Sequence, residues 1–138
     1  MKVQNGACSD VRGAYIGGGS HGWAWTFFKD LAREEDMSGV IDLYDIDRPM
    51  AEQNAEIGTR LFKRSDVKGN WKFEVSGSLK ELLEKKPEFV IISILPGTFD
   101  HMASDVHLPE KYGIYQSVGD IGKGFAYHSD VCGNRGSD

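Results

Sequence analysis

Tyr15-Ile16-Gly17-Gly18-Gly19-Ser20-His21-Gly22-Trp23 is the stretch on which the reading of this chain turns. The apolar run Ala14-Tyr15-Ile16 passes straight into glycines, as a buried strand does when it enters a tight turn. From Trp23 the period changes. Trp23, Ala24, Phe27, Phe28, Leu31 and Ala32 fall on one stripe of an α-helix, and Gly39 is expected to mark its exit. Within the stretch, Gly17-x-Gly19-x-x-Gly22 fits the dinucleotide-binding fingerprint, with Gly18, Ser20 and His21 at the variable places. A turn-forming glycine cluster gives the same pattern, so the setting has to separate the two. A strand precedes the motif and a helix follows it. Asp45 lies 23 residues after Gly22, at the end of the next apolar run, where a ribose-binding carboxylate belongs.

Each residue type has a reason to be there. Gly17 permits the turn, Gly19 lets the backbone approach a pyrophosphate, and Gly22 allows helix and strand to pack tightly. The free N–H groups and positive dipole end of the helix then favour phosphates. A carboxylate at Asp45 accepts from ribose hydroxyls and repels a 2′-phosphate, which favours NAD over NADP. Asp47 is the weaker ribose partner; its other reading is a helix N-cap before Arg48-Pro49.

Outward from the motif, Val40-Ile41-Asp42-Leu43-Tyr44 reads as a second strand. Pro49 suits the first turn of a second helix, with Met50, Asn54, Ile57 and Leu61 on its stripe. Trp71, Phe73 and Val75 alternate with Lys72 and Glu74, which is strand periodicity. Ser78 caps a short helix through Leu79, Leu82 and Leu83, with Glu81 completing a capping box. Phe89-Val90-Ile91-Ile92-Ser93-Ile94-Leu95 is the most apolar strand and is expected to be central, parallel and covered on both faces; Pro96-Gly97 ends it. The alternation predicts an α/β fold, Rossmann-like, with a mostly parallel sheet and flanking helices. Residues 1–13 read as a polar N-terminal extension and residues 14–120 as an NAD-binding domain. Residues 121–138, without period and rich in breakers, read as a poorly ordered tail.

The 138 residues suffice for one domain. A net charge of −5 argues against nucleic-acid binding, whose affinity comes mainly from neutralising phosphates. No apolar run approaches a membrane span, so no membrane partner is expected. Cys8 and Cys132 have no C-x-x-C spacing and are expected as free thiols. With no signal-peptide pattern at the N-terminus, the expected location is cytoplasmic. Asp100, His101, Asp105 and His107 look like a ligand cluster but lack the spacing of a metal site, and a solvated helix end is the favoured reading. Trp23, Trp25 and Trp71 read as core or groove lining.

Tyr15 to Ser20, Gly22-Trp23-Ala24 and Leu43-Tyr44-Asp45-Ile46-Asp47 together resemble glycoside hydrolase family 4. So do Ile92-Ser93-Ile94-Leu95-Pro96-Gly97-Thr98-Phe99-Asp100 and the stretch from Asp105 to Asp120. The likeness is nearest to the α-galacturonidase and α-glucosidase-like branch. The resemblance implies binding of NAD and a divalent metal, usually manganese. It also implies a redox-elimination mechanism: oxidation of the sugar at C3, loss of the C2 proton, elimination, addition of water and return of the hydride. Carried onto this chain, it gives a cofactor-binding set of Gly17, Gly18, Gly19, Ser20, Gly22, Trp23, Asp45, Asp47, Pro96 and Gly97. It assigns no catalytic residue and no metal ligand here, because those motifs lie beyond the matching stretch. Cys132 and His128 do not sit in matching motifs, and after Asp120 the family's Thr-x-Gly-Pro-Gly-Gly loop is replaced by Ile121-Gly122-Lys123-Gly124-Phe125. Phospho-glycosidase members carry an arginine near the place of Met102, so the substrate implied for a full-length relative is a non-phosphorylated α-glycoside such as a galacturonide. The expectation is the NAD-binding N-terminal portion of such a glycosidase, truncated and inactive alone. A stand-alone NAD-binding module or regulator is the alternative. An uncovered sheet edge would make self-association expected.

Overall fold

The computed structural model describes residues 1–4, 6–94 and 97–115. Met1–Ile94 is one compact unit and Leu95–Asp138 a second. Expectations for residues 116–138, including Cys132, His128 and the tail, lie outside the described residues, as does Pro96.

The first unit opens with a short strand, β1 (Lys2–Gln4), followed by β2 (Ala7–Ile16), α1 (Trp23–Arg33), β3 (Met37–Tyr44) and α2 (Arg48–Leu61). Next come β4 (Asn70–Val75), α3 (Leu79–Glu84) and β5 (Phe89–Ile92). The strand–helix alternation from β2 to β5 is as the sequence predicts. Strand β2 pairs in parallel with β3 on one edge and with β5 on the other, while β3 pairs in parallel with β4. The parallel strands therefore run β4-β3-β2-β5. The order reverses at β2, and in such sheets ligands bind outside the carboxyl ends of the strands at that reversal. Strand β1 adds one antiparallel pairing, Val3 opposite Cys8. The sheet is mixed and mostly parallel, flanked by helices: a Rossmann-type α/β fold.

The core lies between the sheet and α1 and α2. Val11, Tyr15, Phe28, Ile41, Leu43, Ala51 and Trp71 are all buried within it. Phe28 meets Phe73 with ring centroids 4.5 Å apart, and Phe62 meets Phe73 at 5.3 Å. The opposite side of β3 carries Asp42, only 1% exposed. Its carboxylate accepts from Arg12 Nη1 at 2.6 Å, Lys85 Nζ at 2.8 Å and Ser76 Oγ at 2.9 Å. A buried carboxylate persists only with such partners. Burial works against the Arg12 charge, but hydrogen bonds to Glu74 and Asp42 outweigh it and hold that guanidinium above its ordinary pKa.

Several local expectations change. The first core strand begins at Ala7, well before Ala14, because pairing with β1 and β3 supplies order that its polar side chains do not advertise. Gly39 is not the exit of α1; it lies inside β3, opposite Val11, next to a register shift between Cys8 and Val11. A Cβ there would sit 1.8 Å from the Val11 carbonyl oxygen. The buried stripe of α2 is Ala51, Asn54, Ala55 and Gly58, one step round from the expected one, and Ile57 is exposed. Gly58 makes room for the Phe73 ring, whose atoms lie 2.7–2.9 Å from where a Cβ would stand. Ser78 does cap α3, accepting from Glu81 N–H at 3.1 Å, but Glu81 reaches back to Gly77 N–H and not to the cap itself. Strand β5 is not covered on both faces: Val90, Ile92 and Ile94 are 44%, 65% and 57% exposed, and among the described residues β5 pairs with β2 alone.

The second unit contains α4 (Phe99–His107), with Thr98 and His101 forming a reciprocal cap, and a 3-10 turn (Pro109–Tyr112). Among the described residues no helix is long and apolar enough to cross a membrane.

The Gly39 geometry makes a prediction. Gly39→Ala drives a side chain into the β2 backbone and should cost about 3 kcal/mol or more in urea unfolding of the full chain. An unchanged midpoint would mean that the strands do not cross so closely.

Candidate functional site

The carboxyl ends of β2 and β3 converge on the glycine turn. The N–H groups of Gly17 and Gly18 both donate to the Tyr44 carbonyl, at 2.9 and 3.0 Å. Gly17 has φ +90°, a conformation that favours glycine, and a Cβ on it would lie 1.9 Å from the Ser93 carbonyl oxygen beyond β5. The turn closes with Ser20 N–H donating to the Gly17 carbonyl at 3.1 Å. Gly18 packs against Leu43, with only 2.9 Å between a Cβ and the Leu43 Cβ.

Asp45 follows Tyr44 directly, so the pairing that fixes the turn also delivers its carboxylate. Asp45 Oδ2 accepts from Gly19 N–H at 2.8 Å, and Oδ1 accepts from Asp47 N–H at 2.9 Å. A Cβ on Gly19 would stand 2.8 Å from that same oxygen and 3.0 Å from Met50 Cβ. Gly19 thus leaves room for the Asp45 carboxylate at its own N–H. Each Asp45 oxygen keeps a further lone pair for other donors.

Helix α1 begins at Trp23 with Gly22 as its N-cap. No side chain caps Gly22 and no acidic residue occupies the first turn, so the positive end of the dipole is not neutralised by the helix's own residues. Ser20 Oγ makes one long contact with Trp23 N–H, 3.4 Å. Trp23 itself is 73% exposed, and Ile46, next to Asp45, is 95% exposed. Trp23, the first residue of α1, is therefore not core, contrary to its place on the apolar stripe of that helix. Trp71 does fill the core, and Trp25 is partly exposed.

The structure brings Gly17, Gly18, Gly19, Ser20, Gly22, Trp23, Asp45 and Asp47 to one end of the sheet. Asp47 caps α2, accepting from Met50 N–H at 3.3 Å, which is the alternative considered for it. Pro96 lies outside the described residues, and Gly97 belongs to the second unit, with φ +89° beside its own His101. One assigned role moves. Gly22 has no atom within 4 Å of where a Cβ would be, so it is not a close-packing glycine; the close contact is that of the turn on β3, Gly18 on Leu43. The residue that sequence reasoning missed is Asn54, read as part of an apolar stripe. It is buried at 1% exposure and donates from Nδ2 to the Gly18 and Ser20 carbonyls at 2.7 and 3.0 Å. A polar residue at a stripe position was the available signal.

What the turn offers a dinucleotide is the uncapped end of α1 with a carboxylate beside it, since the N–H groups of Gly17, Gly18, Gly19 and Ser20 already have partners within the chain. A metal is not provided for in the same way. Among the described residues no group of three or more His, Cys, Asp and Glu side chains is placed to hold an ion. His101 is engaged with Thr98, and His107 Nδ1 lies 3.1 Å from Glu110.

The model of the family 4 glycosyl hydrolases matches residues 13–129. The chain belongs to that family. The match runs past Asp120, where the resemblance read from the sequence stops. The α-galacturonidase of Thermoanaerobacterium saccharolyticum is 58% identical over 125 residues, covering 90% of this chain and 27% of that protein. For the α-galacturonidase of Lachnoclostridium phytofermentans the identity is 57% over 120 residues, covering 87% and 26%. A Bacillus subtilis protein solved as a candidate glucosidase superposes with a TM-score of 0.66 at 47% identity, covering 84% of this chain and 26% of that one. The 6-phospho-β-glucosidase of Thermotoga maritima, solved with manganese, NAD+ and glucose 6-phosphate, shares the fold: TM-score 0.61, 23% identity, 88% and 29% covered. The chain spans about a quarter of the length of the curated relatives it matches.

Gly17 and Gly22 should respond oppositely to alanine. Gly17→Ala meets both a left-handed backbone and the Ser93 carbonyl and should cost about 3 kcal/mol or more. Gly22→Ala, in open space at φ −84°, should change stability by about 1 kcal/mol or less. Thermal melts of the two variants check this, and equal losses would contradict the geometry.

Proposed function

We propose that this family 4 chain is the NAD-binding portion of an α-galacturonidase-like glycosidase, and that by itself it does not cleave glycosides. The observation that carries the reading is the Asp45 carboxylate seated at Gly19 N–H beside the uncapped start of α1. In this reading the Asp45 carboxylate releases Gly19 N–H when the dinucleotide binds, and that N–H, with those of His21 and the first turn of α1, holds the pyrophosphate, which the lack of a Cβ on Gly19 admits closely. Asp45 keeps its bond from Asp47 N–H and uses its remaining lone pairs on the adenosine ribose hydroxyls. Ser20, Gly22 and Trp23 border the phosphates, with the exposed Trp23 ring excluding water from one side. Pro96 and Gly97 complete the set by family resemblance. The bound nicotinamide would supply hydride acceptance and return.

A galacturonide substrate is supported by the curated relatives at 57–58% identity. Met102 in place of an arginine agrees with a sugar that carries no phosphate. The absence of activity in this chain alone is supported by its quarter-length coverage and by the lack of a three-ligand cluster among the described residues. Manganese, in this reading, binds through residues other than the described ones. A stand-alone NAD-binding module remains the second reading, favoured by the compactness of Met1–Ile94.

Calorimetric titration of the chain with NAD should give saturable binding, at least about tenfold tighter than NADP and weakened at least about tenfold by Asp45→Ala. The same preparation, with manganese and NAD added, should leave an α-galacturonide intact. No binding would overturn the cofactor reading, and cleavage would overturn the claim of inactivity.

Self-association is proposed through β5, whose outer edge is unpaired among the described residues and whose exposed face carries Val90 and Ile92, with Ile94 just beyond the strand. Light scattering should show a mass that rises with concentration. A monomer mass at every dilution would contradict it.

A further inference from the structure

Asn54 of α2 is a buried amide in a core of Ala, Leu and aromatic side chains, and every bond it makes goes to the glycine loop or its helix. Nδ2 donates to the Gly18 carbonyl at 2.7 Å and to the Ser20 carbonyl at 3.0 Å. Oδ1 accepts from Trp25 Nε1 at 2.8 Å. Trp25 in turn stacks on the His21 ring, with centroids 5.6 Å apart and planes within 11°. One side chain on α2 thus holds two loop carbonyls directly and His21 at one remove.

These bonds have a directional consequence. A trans peptide unit is planar, with its C=O and N–H pointing opposite ways. Turning the Gly18 and Ser20 carbonyls toward Asn54 turns the next N–H groups, of Gly19 and His21, to the other side of the loop. The Gly19 N–H is indeed the one that meets the Asp45 carboxylate, at 2.8 Å. The Gly19 donor that faces the Asp45 carboxylate is therefore set by an amide behind the loop, and the His21 donor is turned to the same side. A packing role alone does not account for the residue, since an apolar side chain of similar volume would fill the position without the cost of burying an amide.

We infer that Asn54 is a positioning residue for the phosphates of a bound dinucleotide: it aims the Gly19 and His21 N–H groups by holding the carbonyls of the preceding residues. The inference rests on the NAD-binding reading above. Asn54→Asp keeps the shape but replaces the two N–H donors with an acceptor facing two carbonyls. Asn54→Leu keeps the volume and removes all three bonds. Trp25→Phe removes one bond and leaves both loop carbonyls held.

The test is calorimetry of the full chain and these variants with NAD and, separately, with adenosine, which lacks phosphates. Asn54→Asp and Asn54→Leu should weaken NAD by at least about tenfold and adenosine by less than about twofold, while Trp25→Phe stays within about threefold for NAD. A general loosening of the fold would weaken both ligands alike. Equal NAD affinity in the wild type and the Asn54 variants overturns the positioning role and leaves the NAD-binding reading standing. Absence of NAD binding in the wild type overturns both. Should the Asn54 variants unfold, the wild type decides by amide NMR. The Asn54 side-chain amide signals should move saturably with Gly19 N–H as NAD is added, and Asn54 signals that stay fixed while Gly19 moves would overturn the role.

Discussion

Two backbone N–H groups, those of Gly17 and Gly18, converge on the single carbonyl of Tyr44, and the rest of the site follows from that convergence. It can form because β2 and β3 run parallel with Ile16 opposite Tyr44, so both strands end at the same height. Gly17 takes a positive φ there, which glycine adopts without strain. Once the turn is tied to Tyr44, the residue that follows β3, Asp45, reaches Gly19 without any further device.

The same strand supports the site from its other face. Ile41 and Leu43 point to the helices, and Leu43 is the surface on which Gly18 rests. Asp42 points the opposite way and gathers Arg12, Ser76 and Lys85 from β2, the loop after β4 and the end of α3. A buried carboxylate with three donors costs much to expose and much to leave unpaired. It therefore pins β3 between two layers, and the height at which β3 ends is fixed by contacts remote from the turn.

Periodicity and glycine spacing were enough to read the alternating order of elements, the parallel sheet and the place of Asp45. They read best where a side chain is forced: Pro49 in the first turn of α2, Ser78 at the start of α3, Trp71 alternating with charged neighbours. They read poorly where backbone pairing decides. Residues 7–12 form a strand because β1 and β3 flank them, and their side chains, of which only Val11 is buried, show no strand period. Gly39 punctuates a helix in one reading and admits the close approach of the β2 backbone at Val11 in the structure. Gly22 completes a motif and yet meets nothing, whereas Gly18, at a variable place, bears the close contact. Asn54 was legible only as an anomaly, a polar residue on an apolar stripe, because its partners are carbonyls that no sequence pattern displays.

The central claim is that an anion-binding turn at the carboxyl ends of β2 and β3 is a dinucleotide site. Its most direct test is amide NMR of the isotopically labelled full chain as NAD is added. The account predicts saturable shifts at Gly17, Gly18, Gly19, His21 and Asp45, with the strand pairing of β3 and β4 undisturbed. Saturable shifts centred elsewhere, or none at these residues, would contradict it.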